Sequence, residues 1–180
     1  MPAVVVTPYD PSWPETFAAI RDCIAPALEG VAISVEHVGS TAVPGLAAKP
    51  IIDIDVVVPG DPEFVAKAIE RLSGLGYVHR GDLGIKGREA FFRPEGSPPH
   101  HLYVVREGSL PLRNHLALRD YLRANPTAAQ RYGAFKLDLA ARYANDIDSY
   151  VRAKTALVID LLRTAGIPEA ELEVIRQQNL

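Results

Sequence analysis

The 180-residue sequence carries 19 Lys and Arg against 22 Asp and Glu, a formal net charge of −3, and is 48% hydrophobic and 23% charged. That composition excludes collagen, coiled coil and a disordered tail, and it predicts one globular domain over residues 1–180, long enough to bury roughly two-thirds of its unfolded surface without a disulfide or structural metal. The lone Cys23 agrees, since it cannot close an internal disulfide and leaves no Cys-based zinc site. Met1 to Pro11 has no basic residue ahead of Val4-Val5-Val6 and meets Pro8 and Asp10 at once. Neither a signal peptide nor an apolar span of about 18 residues is therefore expected, and the expectation is a soluble, cytoplasmic protein with no membrane partner.

In chain order, Trp13 to Leu28 places Phe17, Ile20, Ile24 and Leu28 at helical spacing between Pro11-Ser12 and Gly30, which predicts an amphipathic helix. Val31 to Val38 alternates apolar and polar residues as a strand does. Gly39 to Pro50 is a turn-rich loop, Ile51 to Val58 a strand ended by Pro59-Gly60, and Asp61-Pro62 an N-cap and first-turn proline opening a helix to about Leu72. Gly76–Val78, Gly84–Phe92 and His101–Arg106 are short strands separated by Gly and Pro. The C-terminal part is helical: Asn125-Pro126 opens a helix with Ala128, Tyr132, Phe135, Leu139 and Tyr143 on one stripe, Asn145-Asp146 breaks it, and a second run reaches Gly166. A last short helix from Glu169 is expected to be loosely held.

Residues 80–123 hold eight basic side chains against five acids, a local excess of +3 within a chain of net charge −3. Such a balance argues against sequence-independent binding of nucleic acid, yet leaves a local basic surface able to hold a small phosphate compound. The acids that matter lie elsewhere. On the strand Ile52-Asp53-Ile54-Asp55-Val56, alternation puts Asp53 and Asp55 on one face and the apolar residues on the other. Two adjacent carboxylates on an apolar strand repel one another and require a cation or several donors; Mg²⁺ or Mn²⁺ is one solution, and Arg88 or Arg93 another. Gly39-Ser40, directly after a strand, offers a backbone and a hydroxyl that can approach a phosphate, without forming a Walker A or a nucleophile elbow. Lys49 can reach a phosphate or neutralise Asp53. His100-His101 does not support zinc, because neighbours on a strand face opposite ways; His101 and Tyr103 share a face.

The run His37-Val38-Gly39-Ser40-Thr41-Ala42-Val43-Pro44-Gly45-Leu46-Ala47-Ala48-Lys49-Pro50-Ile51-Ile52-Asp53 resembles the signature of the GrpB family of the nucleotidyltransferase superfamily. The resemblance extends to Tyr9-Asp10-Pro11 with Trp13 and Phe17, to Arg88 with Phe91-Phe92-Arg93, to His101-Leu102-Tyr103-Val104, and to Arg119-Asp120-Tyr121-Leu122-Arg123 with Pro126. It ends with Tyr132, Lys136, Leu139-Ala140, Tyr150 and Lys154. It implies an α/β (α+β) fold, a nucleotidyltransferase-type mixed β-sheet flanked by helices. It further implies phosphate contacts at Gly39 and Ser40 and a metal at Asp53 and Asp55. The superfamily adds a third carboxylate from a neighbouring strand, where this chain has His101 and Tyr103 and no acid. The expected function is metal-dependent nucleotidyl transfer from an NTP to an acceptor that the sequence does not name, with His101 in the catalytic set and Lys49, Arg88 or Arg93 balancing charge. A nucleotide-binding module without turnover, or an interaction scaffold, is the alternative.

Overall fold

The computed structural model describes residues 4–178. Helix α1 (Trp13–Ile24) begins with Pro14 and Glu15 in its first turn and carries Arg21 in its last, as the helix dipole favours. It stops short of the expected Leu28, because Pro26 has no N–H to continue the ladder; Ala25–Leu28 forms a 3-10 turn instead. Strands β1 (Ser34–Val38) and β2 (Ile52–Val58) follow, joined through a 3-10 turn at Ser40–Ala42. Helix α2 (Pro62–Gly74) is capped by the Asp61 carboxylate, which accepts from the Glu63 amide at 2.9 Å. Strands β3 (Val78–His79), β4 (Arg88–Phe92) and β5 (His100–Arg106) complete the sheet. The strand expected from Gly84 begins only at Arg88, because residues 82–87 turn through positive-φ glycines at 84 and 87.

The sheet order is β1-β2-β5-β4-β3, with β2 and β5 parallel and every other pair antiparallel, a mixed sheet. Alternation turns Ile52, Ile54, Val56 and Val58 toward α1 and α2, where they meet Ile20, Ile24, Leu72, Leu102 and Val104 in the main core. The other face carries Asp53, Asp55 and Val57 beside His101, Tyr103 and Val105. Helix α3 (Leu110–Ala124) covers its Val57–Val105 end through Leu112 and Leu116 and leaves the Asp53 end open to the site.

Helices α4 (Pro126–Arg142) and α5 (Ile147–Thr164) pack beyond α3, and Asp146 caps α5 by accepting from the Ser149 amide at 3.0 Å. Among the described residues no helix is long and apolar enough to cross a membrane.

The last helix, α6 (Glu169–Gln178), departs from expectation. It is docked rather than loosely held: Leu172 and Ile175 are 0% and 2% exposed, packed against Ile159 and Leu162 of α5. Two apolar anchors in an otherwise charged segment suffice once a groove is there to receive them. Leu172→Ala should therefore lower the unfolding free energy in a urea titration by about 2–5 kcal/mol, whereas a loss under about 0.5 kcal/mol would mean that α6 is not part of the core.

Candidate functional site

The site is assembled around the turn between β1 and β2. Gly39 sits at φ 70°, ψ −169°, and the Ala42 and Val43 amides donate to the Gly39 and Ser40 carbonyls. A β-carbon on Gly39 would stand 2.2 Å from Asp53 Oδ2. Glycine is thus required by its φ and by the carboxylate lying against it, a different close approach from the phosphate contact expected of it. His37, buried and stacked on Phe17 at 4.7 Å, is hydrogen-bonded through Nε2 to the Thr41 hydroxyl at 3.0 Å and so orients the turn. Burial pushes its pKa down to about 4, leaving a neutral ring. From α3, Arg119 donates to the His37 carbonyl at 3.2 Å and to Glu36 at 2.9 Å, and Arg123 donates to the Ala42 carbonyl at 2.9 Å. These two arginines hold the turn from both ends.

Asp53 and Asp55 are satisfied by histidines, in place of the arginines weighed from sequence. His101 Nδ1 donates to Asp53 Oδ1 at 2.9 Å, and His115 Nδ1 on α3 donates to Asp55 Oδ2 at 2.7 Å. Burial alone would lower the His115 pKa; the Asp55 charge and hydrogen bond, with Asp53 behind them, raise it instead. Asp55 is fully buried, and its Oδ1 has no hydrogen-bond partner among the described residues. Arg88 lies on the same sheet face, its guanidinium 4.6 Å from the Tyr103 ring centroid, and does not bond to either acid. Arg93 is not brought to the site: it is exposed and donates to the Ser97 carbonyl in the loop before β5.

Sequence reasoning gave Lys136, Lys154 and His115 no role. Lys136 is 3% exposed, donates to Ser40 Oγ at 2.7 Å, and lies 4.5 Å from the Tyr132 ring centroid, with no carboxylate in ion-pair contact among the described residues. Burial, then the charge of Lys154, pulls its pKa down to about 7, against the opposing pull of Asp53. Burial likewise lowers Lys154 and Lys49, whose ammonium groups lie 5.8 and 4.8 Å from the Tyr150 ring. Each of Lys136 and Lys154 stands one helical turn after a buried tyrosine, at Tyr132 and Tyr150, so each falls on an apolar stripe. That placement is the signal that could have found them.

Ser40, Lys49, Asp53, His101, Lys136 and Lys154 line a cavity of about 220 Å³. A second cavity of about 210 Å³ adjoins it at Ser40, Asp53 and Lys154 and runs beneath Tyr132 and His115. A larger one of about 480 Å³, between α3, α4 and α5, shares only Tyr132 with them and lacks both the acids and the lysines.

The sequence pattern of the GrpB protein family matches residues 3–164. The chain belongs to the GrpB family. GrpB relatives include YqkA of Bacillus subtilis (strain 168), 34% identical over 81% of this chain; the chain spans 42% of YqkA's length. The crystal structure of the conserved protein GrpB from Enterococcus faecalis superposes with a TM-score of 0.79 at 33% identity, covering 95% of this chain and 99% of that one. The Cid1 poly(U) polymerase structure with Mg 3′-dATP bound gives a TM-score of 0.57 at 16% identity over 86% of this chain and 49% of its own. The GrpB fold seen here is accordingly a nucleotidyltransferase-like one.

The register sets His101 opposite Asp53 and Tyr103 opposite Asp55, so β5 brings no carboxylate to the two acids. Among the described residues no group of three or more His, Cys, Asp or Glu is arranged to hold a metal ion by itself. Asp55 Oδ1 is nevertheless a buried carboxylate oxygen without a partner, the donor type that a hard cation takes.

Gly39→Ala should cost about 1–3 kcal/mol in a denaturant titration, and Asp53→Ala in the same chain should recover part of that loss by removing the carboxylate at 2.2 Å, although the residue-53 β-carbon stays 3.0 Å away. Additive losses would place the strain elsewhere. Lys136 carries a pH dependence of defined sign. The unfolded chain keeps its proton to the ordinary 10.5 while the folded chain releases it from about 7, so between these values the unfolded state binds more protons and stability rises with pH. Lys136→Met should reduce that rise when unfolding is compared at pH 7 and 9.5, leaving the part that Lys154 and Lys49 carry, and should not destabilise the ligand-free fold at pH 7; the same pH slope in both proteins would contradict the buried ammonium.

Proposed function

We propose that this GrpB chain is a metal-dependent nucleotidyltransferase that transfers a nucleotidyl group from an NTP to an acceptor hydroxyl. The observation that carries the reading is that Asp53, one of the two strand carboxylates, lines the same cavity as Lys49, Lys136 and Lys154 at the Gly39–Ser40 turn. Anion and cation sites side by side match a phosphate chain with its Mg²⁺ or Mn²⁺.

The phosphates bind at Ser40 and at the Gly39–Ser40 backbone. Lys136, Lys154 and Lys49 face the β- and γ-phosphates and stabilise the negative charge that grows on the departing pyrophosphate. Asp53 and Asp55 Oδ1 are the groups that would hold the cation, which when bound supplies charge neutralisation of the phosphoryl oxygens. His101, tied through Nδ1 to Asp53 and with a side chain 53% exposed, keeps its other ring nitrogen available to take a proton from the acceptor. Arg88 contributes positive potential from under Tyr103, and Arg93 has no part.

One observation favours a second reading, a nucleotide-binding module without turnover: His101 and Tyr103 occupy the positions at which a third carboxylate would complete the acidic set. Pyrophosphate release separates the two.

The test is a thermal-shift screen against the four NTPs with Mg²⁺ or Mn²⁺, in which a ligand at a hundred times its Kd adds about 2.7 kcal/mol of stability. Asp53→Asn with Asp55→Asn should abolish the metal-dependent part of that shift, and metal-dependent binding that survives both substitutions would move the cation site. No shift with any NTP would leave the chain as a scaffold.

A further inference from the structure

The charged cavity accounts for the phosphates, and the neighbouring cavity has a different chemistry. It begins at Ser40, Asp53 and Lys154 and continues with Tyr132, Leu118, Val158 and Ile175 as apolar walls and with Asn114, His115, Arg119 and Thr155 as polar groups beyond the shared end. An aromatic ring and aliphatic side chains facing hydrogen-bonding groups suit a flat organic ring that carries donors and acceptors. Its volume of about 210 Å³ lies below the roughly 300 Å³ at which small-molecule pockets usually begin, so each wall residue restricts what enters.

One of those walls comes from outside the GrpB match. Ile175 belongs to α6, past residue 164. The helix is held over the cavity by Leu172 and Ile175 in the groove against Ile159 and Leu162, and by Arg113 of α3, which is paired with Glu171 at 3.0 Å. A third tie, Arg163 to Glu169 at 3.0 Å, spans the turn that leads into it.

We infer that α6 is a cap on the site and that Ile175 sets the size of the nucleoside end of the ligand, the second cavity receiving the base while the lysines receive the phosphates. The inference rests on the nucleotide reading above, and inorganic tripolyphosphate, which has phosphates and no nucleoside, separates the two. Calorimetric titrations of the full chain, Ile175→Phe and Ile175→Ala with MgATP, MgUTP and magnesium tripolyphosphate supply the test, each variant first checked for a cooperative melt. Ile175→Phe fills the cavity and should weaken both nucleotides tenfold or more while tripolyphosphate stays within twofold. Ile175→Ala opens it and should shift the ATP-to-UTP affinity ratio several-fold toward the larger purine, again with tripolyphosphate within twofold, and this arm stands if the larger side chain prevents folding. Nucleotide affinities unchanged in both variants, or nucleotide and tripolyphosphate affinities moving together, would overturn the cap. Failure of the unmodified chain to bind any of the three would overturn the nucleotide reading and the cap with it.

Discussion

The parallel pairing of β2 with β5 is the constraint on which the site depends. It sets Asp53 opposite His101 and Asp55 opposite Tyr103 on the sheet face that α3 covers only in part, and buries Ile52, Ile54 and Val56 on the other. With Asp53 fixed, the preceding turn has no freedom at Gly39, where a single added carbon would meet the carboxylate. The turn in turn places Ser40 within reach of Lys136, and α3 clamps it through Arg119 and Arg123 while delivering His115 to Asp55. Removing any of these contacts shifts a functional group that is remote in sequence.

Charge is arranged unequally around that frame. Each acid is met by one histidine N–H donor, yet one oxygen of the more deeply buried acid goes unpaired. The lysines are met by a hydroxyl and by tyrosine faces, which stabilise an ammonium far less than a carboxylate does. A buried ammonium without a counter-charge persists at a cost to stability, and the depressed lysine pKa values express it. The proposed phosphate binding rests on this imbalance, because an anion would offset the lysine charge.

What was legible in the sequence follows from periodicity. The two-residue period of β2 placed Asp53 and Asp55 together and opposed them to the core, and the same argument on β5 put His101 with them. The Gly39-Ser40 turn was legible because glycine after a strand is informative. His115, Lys136 and Lys154 were not, because each reaches the site only through helix packing, over sequence separations such as the 96 residues between Ser40 and Lys136. Arg93 misled for the complementary reason: a basic residue near the acids in sequence pattern is turned to its own loop by the geometry after β4. The docking of α6 was hidden by its charge, since Leu172 and Ile175 are its buried apolar anchors and its ion pair to Arg113 forms only through helix packing.

NMR titration of the Lys136 ammonium with and without magnesium tripolyphosphate tests whether the cavity lysines bind an anion. The account predicts a free-protein pKa near 7 that rises once phosphate oxygens supply the missing negative charge. An ordinary value near 10.5, unmoved by the polyanion, would contradict it.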